Sequence, residues 1–138
     1  MARDTAFLYR MMPFCATLGV RAETFEATEV RLAVDWKPEL CTSNQLMHGG
    51  AVMALADSAG GACAFLNLPE GSPATSTIES KTNFIGGIKS GTITATATPL
   101  HVGSTTIVVE TSVRDETGRL VAKVTQTQAV LRPRPASG

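Results

Sequence analysis

Two hydrophobic rhythms run through this chain. Between Ala51 and Leu66 the residues are almost all apolar, whereas beyond Thr75 apolar and polar side chains tend to alternate. A period of two marks strands with one buried face. An apolar run of about 16–18 residues, rich in alanine, leucine and methionine, is too long for an ordinary strand and favours helix. The strand-like segments are TSTIESKTNF (75–84), GTITATATPL (91–100), STTIVVETSVRD (104–115) and RLVAKVTQTQAVL (119–131). Turns are expected at Val102–Gly103 and at Glu116–Gly118. Upstream, Val20–Trp36 alternates at Val30, Leu32, Val34 and Trp36 and reads as strand. Near the start, Phe7, Leu8, Met11 and Met12 recur at helical spacing. They predict a short helix over about 4–18, capped by Asp4 or Thr5 and interrupted at Pro13.

The order is therefore helix, two strands, one long apolar helix, then four strands, the last three in a meander. It implies an α+β fold in which four or five strands of a curved antiparallel sheet wrap one central helix. A helix in that position must be apolar on nearly every side, as Ala51–Leu66 is. Gly60 and Gly61 each weaken it by about 1 kcal/mol relative to alanine, so close approach of sheet or partner backbone is expected there. At 138 residues the chain is expected to be one domain, with a core over about 19–132 and a frayed tail at 133–138.

Composition narrows the partners. Twelve basic residues balance twelve acidic ones, so no bulk field argues for nucleic acid or a membrane surface. Only 17% of residues are charged, which suggests a surface partly covered by self-association or ligand. No apolar segment free of glycine and charge approaches ~18 residues, so no membrane span is expected. Cys15, Cys41 and Cys63 are far apart and include no CxxC pair. That spacing points to reduced thiols in a cytoplasmic protein and gives no sign of a metal site.

One charge, Asp57, stands in the middle of the apolar helix. Burying a carboxylate there costs several kcal/mol unless it is paired or protonated. It lies too far inside to cap the helix. It is either an exposed or packing residue or, the reading favoured here, a carboxylate tuned by desolvation and a polar neighbour to act as nucleophile or general base. The helix begins at Met47-His48-Gly49-Gly50. Backbone N–H groups in a first turn have no intrahelical partners, and glycine leaves them unhindered, which suits an oxyanion. Gly49 and Asp57 are eight residues apart, about 12 Å along a helix. They can serve one carbonyl carbon only from two subunits, with the helices antiparallel across a two-fold axis. His48 lies about 180° around from Asp57, so it is expected to hold the loop rather than to act on Asp57 directly. His101 is expected to be exposed.

The run HGGAVMALAD, His48 to Asp57, resembles the helix signature of the hotdog-fold acyl-CoA thioesterases, in particular the phenylacetate-pathway (PaaI-like) branch. The strands after residue 75 are similar in layout to that family's sheet, and the resemblance covers roughly residues 14–132. It implies a hotdog dimer, usually paired into a tetramer, that hydrolyses acyl-CoA to acid and CoA. No cofactor is implied beyond the coenzyme A of the substrate. Asp57 would be the catalytic carboxylate and Gly49 the oxyanion donor. Thr77 would supply a hydroxyl near the acid, and Asn44 an amide near the thioester, or else Ser43 or Gln45 would serve in its place. His48, Gly50, Ser58, Gly61, Lys81, Asn83, Phe84 and Lys89 would contact substrate. Lys81, Lys89, Arg132 and Arg134 are the candidates for the CoA phosphates. Hotdog dehydratases use a catalytic histidine in other local motifs, and an acyl-CoA sensor would need no such acid. Asp57 separates these readings.

Overall fold

Residues 3–136 are described by a computed structural model of the chain. Helix α1 (Thr5–Met11) is capped by Asp4, whose side chain accepts from the Phe7 N–H at 2.9 Å. Proline has no N–H with which to continue a helix but suits a first turn. The chain accordingly breaks at Met12 and restarts as α2 (Pro13–Leu18), ended by Gly19 in the left-handed conformation at φ 77°.

Strands β1 (Arg21–Glu26) and β2 (Glu29–Asp35) form a hairpin. The long helix α3 (Gly49–Leu66) follows, then β3 (Thr75–Phe84), β4 (Thr92–Val102), β5 (Thr106–Arg114) and β6 (Leu120–Val130). All six strands join one antiparallel sheet in the order β1-β2-β4-β5-β6-β3. The count exceeds the four or five expected because β1 adds itself to one edge while β3, after α3, crosses to the other. The architecture is the α+β one that the two rhythms predict.

Alternation along the strands decides which side is buried. Ile93, Ala95 and Ala97 of β4 and Ile107, Val109 and Val113 of β5 lie fully buried against α3, whose own buried residues include Val52, Leu55, Ala59 and Cys63. Each fully buried Leu, Ile or Val contributes about 1.5–3 kcal/mol. Alanines on both helix and sheet let the layers approach closely, and α3 touches every strand. The intervening Thr94, Thr96 and Thr98 of β4 are only partly buried and belong to the outer face. By length and composition α3 could cross a membrane, but here its buried side forms the core of the fold.

The helix is not wrapped completely. One side stays open, carrying Met53 (38% exposed), Asp57 and Phe65. Beside it runs β3, an edge strand whose second edge has no partner and whose Ile78 and Phe84 are exposed. After β6, residues 131–136 have no regular structure and are exposed; the last two residues of the expected tail lie outside the described residues.

Candidate active site

The segment leading into α3 is pinned on both sides. A tight turn closes between Thr42, whose N–H donates to the Leu46 carbonyl at 2.8 Å, and a bridge pairs Cys41 with Met47. The turn uses Asn44 at φ 59° and Gln45 at φ 60°. Two successive left-handed residues suit a hairpin, and asparagine tolerates that conformation better than glutamine does. The Trp36 indole N–H donates to the Gln45 carbonyl, and the Met47 N–H to the Ile88 carbonyl. Among the described residues no side-chain hydrogen bond joins Asn44 to His48 or Asp57, whose side-chain bonds go to Gly50 and Gln126.

His48 is the N-cap of α3, at φ −61° and ψ 134°. Its Nδ1 accepts from the Gly50 N–H at 2.7 Å, so this histidine holds the helix start and has no bond to Asp57. A Cβ on Gly50 would crowd that imidazole at 2.9 Å. The Gly50 N–H is therefore committed to His48. The Gly49 N–H donates to no group among the described residues, and it stands at the positive end of the helix dipole. The Phe84 ring covers Gly49, with Cζ 3.1 Å from where a Cβ would stand. Beside them opens an apolar cavity of about 340 Å³ whose walls include Leu46, Val52, Phe84, Ile85 and Ile88.

Asp57 lies on the open side of α3. Packing on its protein side removes enough water to raise its pKa above the ordinary carboxylate value, and a hydrogen bond from Gln126 opposes that rise. Gln126 Nε2 donates to Asp57 Oδ1 at 2.5 Å. Two residues on, Gln128 Nε2 donates to Thr77 Oγ1 at 2.7 Å. Both glutamines are fully buried on the inner face of β6. Thr77 is thus tied to the same buried row as Asp57 but not to Asp57 itself. The sequence reading did not single out these glutamines. Their signal is phase: in Val124-x-Gln126-x-Gln128-x-Val130 they occupy the positions that alternation reserves for apolar residues.

Gln126 also explains one helix glycine. A Cβ on Gly60 would overlap Gln126 Oε1, so it is a side chain, not backbone, that approaches there. At Gly61 nothing comes closer than the Met12 methyl at 3.9 Å, and close approach is not the reason for that glycine. The side-chain carbonyl of Gln126 has no hydrogen-bond partner among the described residues. A buried unpaired group of this kind costs about 1–3 kcal/mol.

Other expected contacts separate. The Ser58 hydroxyl donates back to the Ala54 carbonyl at 2.7 Å, and the residue is buried beside Cys15 of α2, away from the open side. Lys81 and Asn83 pair with Thr125 and Lys123 on the outer phase of β6, and the Lys81 ammonium donates to Asn83 at 2.8 Å. They do not meet Asp57 in the same chain, because adjacent strand residues face opposite ways and it is Phe84 that faces α3. Lys89 is exposed in a hollow with Arg119 that shares Leu46, Gly87 and Ile88 with the apolar cavity. An Arg132 N–H donates to the Ser104 carbonyl; Arg134 and His101 are exposed. Among the described residues no group of three or more His, Cys, Asp or Glu side chains could hold a metal ion.

A six-stranded antiparallel sheet around one long helix is the hotdog fold, and here the helix carries an acid and one uncommitted amide at its start. The sequence profile of the thioesterase superfamily matches residues 44–122, and the chain belongs to that superfamily. It is 36% identical over 90 residues to a Vibrio cholerae protein named as an esterase, a match spanning 65% of this chain and 59% of that one. It is 34% identical over 86 residues to the 1,4-dihydroxy-2-naphthoyl-CoA hydrolase of Escherichia coli, 62% of each chain. Among solved structures, a Mycobacterium tuberculosis protein named as an esterase superposes with a TM-score of 0.85 at 28% identity, covering 90% of this chain and all of that one. A Pseudomonas aeruginosa thioesterase superposes at 0.86 with 26% identity, over 95% and 96% of the two chains.

Proposed function

We propose that this protein hydrolyses the thioester of an aryl-acyl or medium-chain acyl-CoA, releasing the acid and CoA, in sites shared across a homodimer. The observation that carries the reading is a pair of features eight residues apart. One is a raised-pKa carboxylate on the open side of α3; the other is an uncommitted Gly49 N–H beside an apolar cavity. About 12 Å of helix separates them, so the Asp57 that serves a given Gly49 comes from a second copy. The free edge of β3 and its exposed Ile78 and Phe84 offer that copy a place to pair.

In this arrangement the thioester oxygen accepts from the Gly49 N–H. Asp57 of the other subunit either attacks the carbonyl carbon or takes a proton from the water that does. The C–S bond breaks and CoA leaves as thiolate, which takes its proton from Asp57 or solvent; where Asp57 itself has attacked, water then hydrolyses the mixed anhydride, releasing the acid and restoring the carboxylate. The cavity has room for a compact apolar acyl group, and the aromatic substrate in the name of the Escherichia coli relative supports an aryl one. Lys89, beside Arg119, is the best-placed cation for a CoA phosphate. Membership of the phenylacetate-pathway branch, a dimer of dimers and a cytoplasmic location complete the reading; three free cysteines are compatible with the last.

Thiol release from a panel of acyl-CoAs tests it. Asp57→Asn should reduce kcat/KM by about 10²-fold or more. Gly49→Pro removes the oxyanion N–H at a first-turn position whose backbone suits proline; the Phe84 ring, 3.1 Å from a Cβ there, must turn aside, so the fold of the variant is checked by circular dichroism. It should cost about 10²–10³-fold. Mixing the two inactive variants after subunit exchange should recover about a quarter of wild-type activity, since heterodimers rebuild one intact site. No recovery from freely exchanging subunits would refute the shared site. CoA esters that bind without turnover would favour a non-catalytic acyl-CoA-binding protein.

A further inference from the structure

We propose that Gln126 is a positioning residue for Asp57: its amide N–H fixes Oδ1 and leaves Oδ2, which has no partner among the described residues, as the oxygen that acts on substrate or water. The inference rests on the reading of Asp57 given above. A carboxylate only accepts hydrogen bonds, so the amide nitrogen must face it and the Gln126 carbonyl must turn toward Gly60. That is the orientation in which the carbonyl is buried without a partner and in which any residue larger than glycine at position 60 would collide with it.

The fold thus keeps two unfavourable features, a glycine inside its central helix and an unpaired buried carbonyl. Both follow from one contact, the bond to Asp57. A glutamine needed only to fill space would be replaced by methionine or leucine without leaving an orphan oxygen. Gln128 marks the contrast: its Nε2 donates to the Thr77 hydroxyl, and its side chain is not among the close neighbours of any glycine.

Little else in the chain competes for Asp57. From α2 the facing titratable group is the Cys15 thiol, which burial keeps neutral; along α3 the neighbours of Asp57 one turn away are Met53, Ala54, Gly60 and Gly61, none of which titrates. From β6 it meets Gln126, and on β3 the inward positions in that register, Thr77 and Ser80, are hydroxyls. Glu79 and Lys81 lie on the outer phase opposite Thr127 and Thr125. Among the described residues no cation is paired with Asp57, so Gln126 is the group that favours its charged form.

The test compares wild type with Gln126→Met, Gly60→Ala and the double variant. The Asp57 carboxyl is titrated by ¹³C NMR, and kcat/KM is measured against pH. Methionine keeps the length, loses the donor and removes the orphan carbonyl, so the protein should fold. Its Asp57 midpoint should move up, the acid limb of kcat/KM should move with it, and the plateau should fall about two- to tenfold. Gly60→Ala, which pushes the glutamine away from Asp57, should do the same. Added to Gln126→Met it should do nothing more to the midpoint. An unmoved midpoint in Gln126→Met, with only stability changed, would overturn the proposal. Full activity in Asp57→Asn would instead overturn the reading of the site, while the NMR titration still reports on the Gln126 contact.

Discussion

Two aspartates show how differently this fold treats a carboxylate. Asp115, at the tip of the β5–β6 hairpin, accepts from the Thr117 hydroxyl and N–H and from the Arg119 N–H, and its other oxygen accepts from the Arg119 guanidinium. Those donors, the Thr117 hydroxyl foremost, hold its pKa down at about 2. Asp57 has one donor and a desolvating helix face, and its pKa rises. A carboxylate held by four donors, one of them a guanidinium, is a brace, with its charge already satisfied. One left short of donors is the costlier residue, and that cost is what makes it the candidate for chemistry.

Substitution should pull the two apart. The largest effect is on turnover: Asp57→Asn loses about 10²-fold or more, whereas Asp115→Asn stays near wild type in the same thiol-release assay. Next is stability. Asp115→Asn should melt below wild type at neutral pH. Because folding lowers this pKa, its contribution is present above the ordinary value of 3.8 and is lost as pH falls through about 2. The gap in Tm should therefore close over that interval in melts followed by circular dichroism. Asp57→Asn should do the reverse on a smaller scale. A raised carboxylate pKa favours the folded state at low pH and weakens it as pH climbs past the ordinary value. The variant should thus melt slightly above wild type at neutral pH and level with it in acid. The smallest effect tests the turn before α3. Gln45→Gly relieves a left-handed glutamine and should gain about 0.5 kcal/mol, roughly 2 °C in Tm.

Sequence patterning reached the architecture because burial imposes periods that can be read directly. The alternation of β4 and the apolar run of α3 each record which sides face the core. His48 as a cap that does not touch Asp57 was likewise legible, since its angular position on a helix rules out a pair. The pattern reached less of the site. Strand phase sets Asn83 and Phe84 on opposite sides of the sheet, and a bulge between Thr77 and Glu79, which no residue pattern announces, shifts the phase of β3. The open side of α3 was missed because an all-apolar helix carries no mark of which face lacks a cover. Gln126 and Gln128 read as ordinary strand polar residues until their phase is set against Val124 and Val130.

The contact between Gly60 and Gln126 also constrains how this protein can change over time. Alanine at position 60 would improve the helix, yet in the present background that step collides with the glutamine and loosens the grip on Asp57. A lineage free to lose Gln126 first could then acquire the alanine without conflict; in the opposite order the intermediate is penalised. The two positions, 66 residues apart in sequence, should be inherited together: glycine with glutamine where the acid works, and released as a pair where it no longer does.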